Sequence, residues 1–163
     1  MGQVEKTLAE MGIELPTPTA PVADYVPFVR SGNLVFISGQ MPIGPEGCVT
    51  GQLSAEDHSS DATPSPDSKL GLAIGAATLA AVNVLAQLKG AIGDLDRVTR
   101  VVKLTGFVNA DGTFTQHPQV INGASSLMIG AFGEAGRHAR AAVGCSSLPL
   151  GAICEVEGIF EVE

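Results

Sequence analysis

Apolar and polar positions recur along the chain with two different periods. Val4, Leu8, Met11 and Ile13 are spaced for one helix face, which predicts a short amphipathic helix over 4–12 that stops at Leu15-Pro16-Thr17-Pro18. Tyr25–Arg30 and Asn33–Gly39 read as two strands joined by a turn at Ser31-Gly32. Leu34-Val35-Phe36-Ile37 is apolar on both faces, as expected of a strand in a covered sheet. From Pro45 to Ser68 the pattern disappears, and the Ser-, Asp- and Pro-rich run from Asp57 to Ser68 predicts a mobile loop at about 45–68. Ser68 then caps a long Ala-rich helix that ends near Gly90, with Leu70, Ile74, Ala77, Ala81, Leu85 and Leu88 as its buried stripe. Val98–Val108 is a β-rich run, Asp111-Gly112 a turn, and 117–133 a second helix with Pro118 in its first turn. Ala141–Cys145 and Ala152–Val162 form the last two strands. The order β-β-α-β-α-β-β predicts a single α+β domain over 21–163, with helices on one sheet face and residues 1–20 as a helical extension.

Composition narrows what such a domain does. The 163 residues are 45% hydrophobic and 16% charged, which excludes a disordered acidic tail and leaves enough apolar surface for one core. Nine Lys and Arg stand against 17 Asp and Glu, a formal charge of −8. Sequence-independent nucleic-acid binding needs clustered cations, and the longest basic cluster, Arg137-His138-Ala139-Arg140, is too short to supply them. No nucleic-acid partner is expected. Cys48, Cys145 and Cys154 are odd in number and show no metal-ligand spacing, so neither a disulfide framework nor a zinc site is predicted. A reducing, cytoplasmic setting follows, and the first residues lack the basic start and apolar run of a secretory signal. Leu70–Leu88 carries no charge over nineteen residues, yet its alanines and Thr78, Asn83 and Gln87 predict a buried helix rather than a membrane span. Dinucleotide, P-loop and nucleophile-elbow motifs are missing, and the glycine-rich run Gly130–Gly136 reads as a helix C-terminal cap.

The chemistry-bearing stretch is Arg140-Ala141-Ala142-Val143-Gly144-Cys145-Ser146-Ser147-Leu148-Pro149, followed by Glu155-Val156-Glu157. If the last two strands pair as a hairpin centred between Leu148 and Pro149, Arg140 lies opposite Glu157 and Ala142 opposite Glu155. Strand alternation then puts the arginine and both carboxylates on one face, with Cys154, Val156 and Phe160 packed under the helices on the other. A guanidinium offers a planar fork for a substrate carboxylate, and a nearby carboxylate moves protons to and from water. That pair suits hydrolysis of a small carboxylic acid with an electrophilic carbon. The same spacing equally describes an ordinary cross-strand ion pair.

These residues resemble the C-terminal signature of the YjgF-type reactive intermediate deaminase (Rid) family, also called the endoribonuclease L-PSP or translation-inhibitor type. Ser38-Gly39-Gln40-Met41-Pro42, with Tyr25 thirteen residues before Ser38, is similar to a second family motif. The resemblance covers roughly residues 21–163. It implies a chorismate-mutase-like fold, a homotrimer with ligand clefts between subunits, and no cofactor. The activity it implies is hydrolysis of 2-imino or enamine acids to 2-keto acids and ammonia. By the same match Arg140 binds the substrate carboxylate and Glu155 positions the attacking water. The backbone at Ala142 holds that water or the imine nitrogen, Tyr25, Ser38 and Gly39 line the cleft, and Asn122 matches a cleft asparagine. The N-terminal helix, the long 45–68 loop and Gly136-Arg137-His138-Ala139-Arg140 resemble a longer, divergent branch, and Ala142 stands where the deaminases often carry Cys. Two other functions remain open: a trimer that captures small carboxylates without turnover, and the ribonuclease of the older name. Against the last stand the charge of −8 and a single Tyr, since single-stranded RNA binders use basic grooves and stacked aromatics.

Overall fold

The computed structural model describes residues 2–18 and 24–163. The expected boundary between an extension and a main domain at 20/21 falls outside the described residues. Helix α1 (Gln3–Glu10) buries Leu8, and the Asp96 carboxylate accepts the Gln3 and Val4 amides at 2.7 and 2.8 Å, fixing its start. Strands β1 (Phe28–Ser31) and β2 (Leu34–Gln40) form the expected hairpin around Gly32. A small hairpin follows, β3 (Ile43–Gly44) and β4 (Gly47–Cys48). Helix α2 (Lys69–Ile92) begins as the sequence requires, with Ser68 Oγ accepting the Gly71 amide at 3.0 Å. Strand β5 (Val98–Asn109), helix α3 (His117–Phe132), strand β6 (Ala139–Cys145) and strand β7 (Cys154–Val162) complete the chain. Gly133 ends α3 at φ 59° and ψ −130°, a conformation open to glycine, so the glycine-rich run is a C-terminal cap.

The main sheet has the order β1-β2-β7-β5-β6. Strand β6 is parallel to β5, and every other pair is antiparallel. This corrects the hairpin expected of the last two strands. Helix α3 carries the chain across the sheet, and such a crossover lands β6 parallel beside β5. β7 then returns along the other edge of β5, so β5 separates the two strands expected to touch. Arg140 pairs with Leu104 and Ala142 with Gly106, while Glu155 and Glu157 lie across from Phe107 and Thr105.

Helices α2 and α3 cover one face and enclose a core that includes Leu85, Leu104, Ile121, Met128, Val156 and Phe160. Gly123 of α3 packs against the Ile74 carbonyl of α2, where a Cβ has no room. Small residues thus let the two helices approach closely, as the Ala-rich pattern predicts. α2 is long and apolar enough to cross a membrane by composition, but 61% of its apolar window is buried inside the fold. The 45–68 segment is tied down at several points. Val49 O accepts the Ile153 amide at 3.0 Å, Leu53 exchanges backbone bonds with Asn109 and Asp111 at 2.9 Å, and the Gln116 side chain brackets Ser59 through both its backbone groups.

Candidate functional site

Sheet alternation decides where each candidate side chain goes. Arg140, Ala142 and Gly144 share the face of Leu104, Gly106 and Val108, which is the face under α3. Arg140 lies on the edge strand, so its half-buried side chain rises beside the helix instead of into the core. Its Nη1 donates to Asn122 Oδ1 at 2.8 Å and to Ser125 Oγ at 3.1 Å. Both acceptors are neutral. Among the described residues nothing accepts from Nε or Nη2, and no carboxylate lies within 4.0 Å. The ion pair with Glu155 or Glu157 that the spacing allowed is therefore not formed.

A second layer holds this arginine. His138 Nδ1 lies 2.6 Å from the Gly136 carbonyl, which only accepts, so Nδ1 carries the proton. Nε2 then accepts the Ser125 hydroxyl proton at 2.9 Å, and the Ser125 oxygen is left to accept from Arg140. Ser125 and His138 were not picked out from the sequence. The available signals were Ser125 at i+3 from Asn122 on one helix face and His138 two residues before Arg140 on one strand side.

Glu155 and Glu157 sit on the opposite face of the sheet, uncovered by helices. The inference that arginine and carboxylates share one side is thus overturned within a single chain, because it rested on the hairpin. Glu155 is packed over Gly39: a Cβ at that position collides with its carboxylate. The register of β2 against β7 shifts between Ile37 and Gln40, and this bulge turns Gly39 to the face of Glu155. Burial, and then the charge of Glu157, push the Glu155 carboxyl above its ordinary range. Ser38 donates its hydroxyl to the Val26 carbonyl at 2.8 Å, tying the bulge to the segment that carries exposed Tyr25. So the structure gathers Ser38, Gly39 and Glu155 around the bulge, with Tyr25 one residue from Ser38's partner, and it gathers Asn122, Arg140 and Ala142 beneath α3. It does not join the two groups within one chain.

The remaining reactive groups are quiet. Cys154 is buried in the core and its thiol is pushed up to about 12, chiefly by burial. Burial, followed by Glu155, raises the Cys145 thiol. Both thiols are protonated near neutrality and poor nucleophiles. Among the described residues no group of three or more His, Cys, Asp or Glu is placed to hold a metal ion. A cavity of about 480 Å³ lies between α2, α3, the end of α1 and residues 62–64, and it shares only Asn122 with the arginine site.

With this geometry in hand, known proteins give the context. Protein TCP17 of Trypanosoma cruzi is 44% identical over 163 residues, 99% of this chain and 95% of its own. The crystal structure of Atu1372 from Agrobacterium tumefaciens, a protein described as of unknown function, is 44% identical with a TM-score of 0.84. That alignment covers 98% of this chain and 92% of the other. A Shewanella oneidensis protein named "putative endoribonuclease" is 32% identical with a TM-score of 0.86, over 99% of this chain and all of its own. The family model described as "YjgF/chorismate mutase-like, putative endoribonuclease" matches residues 5–162, including both the bulge at Gly39 and the arginine strand, and the chain belongs to that family.

Proposed function

We propose that the protein hydrolyses small 2-imino or enamine carboxylic acids to 2-keto acids and ammonia. The observation that carries this reading is the arginine: among the described residues Arg140 is held by neutral oxygens through Nη1 alone, with no acceptor for Nε or Nη2. A half-buried guanidinium in that state has one side of its fork open to a bidentate carboxylate, which supplies the missing acceptors. Glu155, with its raised pKa, is the general base. It takes a proton from water as the oxygen adds to the imine carbon and returns it to the nitrogen; the carbinol hydroxyl then gives up its proton to the amine as the C–N bond breaks, leaving the 2-keto acid and ammonia. By the family match, the backbone at Ala142, two residues from Arg140 on the edge strand, contacts the water or the imine nitrogen.

A substrate seated on Arg140 meets Glu155 only around the β6 edge or in an assembly. We propose a homotrimer with clefts between subunits, supported by the uncovered sheet face. Val29 and Phe36 are exposed there beside Ile159, as is Val143 of β6 opposite Phe107. A second reading, carboxylate capture without turnover, draws on the separation of Arg140 from Glu155 within one chain. An assay separates the two. An iminobutanoate is generated in situ by an amino-acid oxidase or dehydratase, and semicarbazone formation reports its loss. The enzyme reading predicts faster loss with the protein present; unchanged loss, with 2-ketobutyrate still bound, leaves the capture reading.

A further inference from the structure

The arginine face of β6 continues toward the C-terminal end of the strand. Beyond Arg140 it presents Ala142 and then Gly144, an almost bare floor along the edge strand. At its far end stands His117, the first residue of α3, packed directly on Gly144 in space a Cβ would fill. Its ring meets Phe114 edge-on at 5.2 Å, and Phe114 meets the His58 ring on its other flank at 5.3 Å. His58 belongs to the 45–68 segment and accepts the Thr115 amide at 3.0 Å. The divergent segment therefore backs the residues that set the His117 ring. Among the described residues no group hydrogen-bonds either ring nitrogen of His117, although Gly144 beneath it is exposed.

We infer that His117 is a second recognition group of the arginine site, reading a hydroxyl or carboxamide at the far end of the acid that Arg140 holds. This rests on the reading of Arg140 given above. His117 and Asn122, the Arg140 partner, are five residues apart on α3, about 7.5 Å along the axis and about 140° around it, while Arg140 and the Gly144 beneath His117 are four residues apart on β6, about 13 Å. An acid of five or six chain atoms, hydrogen-bonded at both ends, reaches across a gap between these values. Burial lowers the His117 pKa, so the ring is neutral near pH 7 and offers one donor and one acceptor. A neutral polar tail suits it better than a second carboxylate. The small Ala142 side chain separates Arg140 from the His117 ring, which itself fills the space over Gly144.

Two non-reacting acids of equal length test this: glutaramate, with a carboxamide tail, and hexanoate, with an alkyl tail. Calorimetric titration of the full chain should show glutaramate bound more tightly by about fivefold to tenfold, the worth of one hydrogen bond. His117→Leu should bring the two affinities together with hexanoate binding retained. Gly144→Ala, which pushes the ring from its seat, should do the same and serves if the first variant folds poorly. Wild-type affinities that are equal, or a preference that survives both variants, overturn the inference while leaving Arg140 as the carboxylate site. Affinity for both acids that ignores Arg140→Ala, or no binding at all, overturns the reading of Arg140 and this inference with it.

Discussion

The two charged groups at the centre of the proposed site live in contrasting surroundings. Arg140 is a cation among neutral oxygens, braced through Ser125 and His138, and among the described residues nothing accepts from its Nε and Nη2. Glu155 is an anion crowded by burial and by a second anion, Glu157, and seated over a residue with no side chain. The first environment gives an incoming acid no anionic competitor; the second makes a proton welcome. In the proposed reaction the first group binds and the second exchanges protons, and a binding protein needs only the first.

The sharpest way to break this division is Glu155→Gln. Removing a general base should lower imine hydrolysis by roughly a hundredfold or more, while 2-ketobutyrate affinity stays within about twofold. The acid limb of the wild-type kcat/KM profile should lie above an ordinary glutamate and vanish in the variant, as the pKa direction requires. Equal losses in affinity and turnover would show that both groups bind. A smaller effect comes from the braces. Ser125→Ala and Asn122→Ala should each weaken 2-ketobutyrate binding by a few-fold, about 0.5–1.5 kcal/mol per lost hydrogen bond, without removing the Glu155 acid limb. The smallest effect is on stability. The folded protein holds the Glu155 proton more tightly than the unfolded chain does, so ionising this group opposes folding. Glu155→Gln should therefore raise Tm above the raised folded pKa, and the gain should fade as pH falls to the unfolded value. Thermal melts at pH 8 and pH 4 check it; a variant less stable than wild type at pH 8 would contradict the crowded-anion picture.

Local patterns made most of the fold legible. Ser68 with its Ala-rich helix and the glycine-rich cap each specify their element through neighbours in sequence and formed as expected, and the first hairpin formed with its turn one residue later than read, at Gly32-Asn33, because Ser31 pairs with Leu34. The failure was of pairing. Two strands separated by a short loop suggest a hairpin, but β6 is already claimed by β5 through the α3 crossover, a pairing of residues thirty-six apart. Because side-chain direction follows pairing, that one error moved the carboxylates to the wrong face relative to Arg140. Candidate positions taken from motif spacing do not depend on that pairing, whereas the partners that surround them do. Ser125, His138 and the bulge that brings Gly39 under Glu155 depend on tertiary register that a single sequence does not display.

The central claim is that the Arg140 guanidinium is held open for an incoming acid, and titration of 2-ketobutyrate into wild type, Arg140→Ala and Arg140→Lys tests it most directly. Loss of a charged hydrogen-bonded fork is worth about 1.5–3 kcal/mol, so Arg140→Ala should weaken binding by tens- to hundreds-fold. Arg140→Lys should recover little, since a point charge lacks the fork. Wild-type affinity retained by the alanine variant would contradict the account.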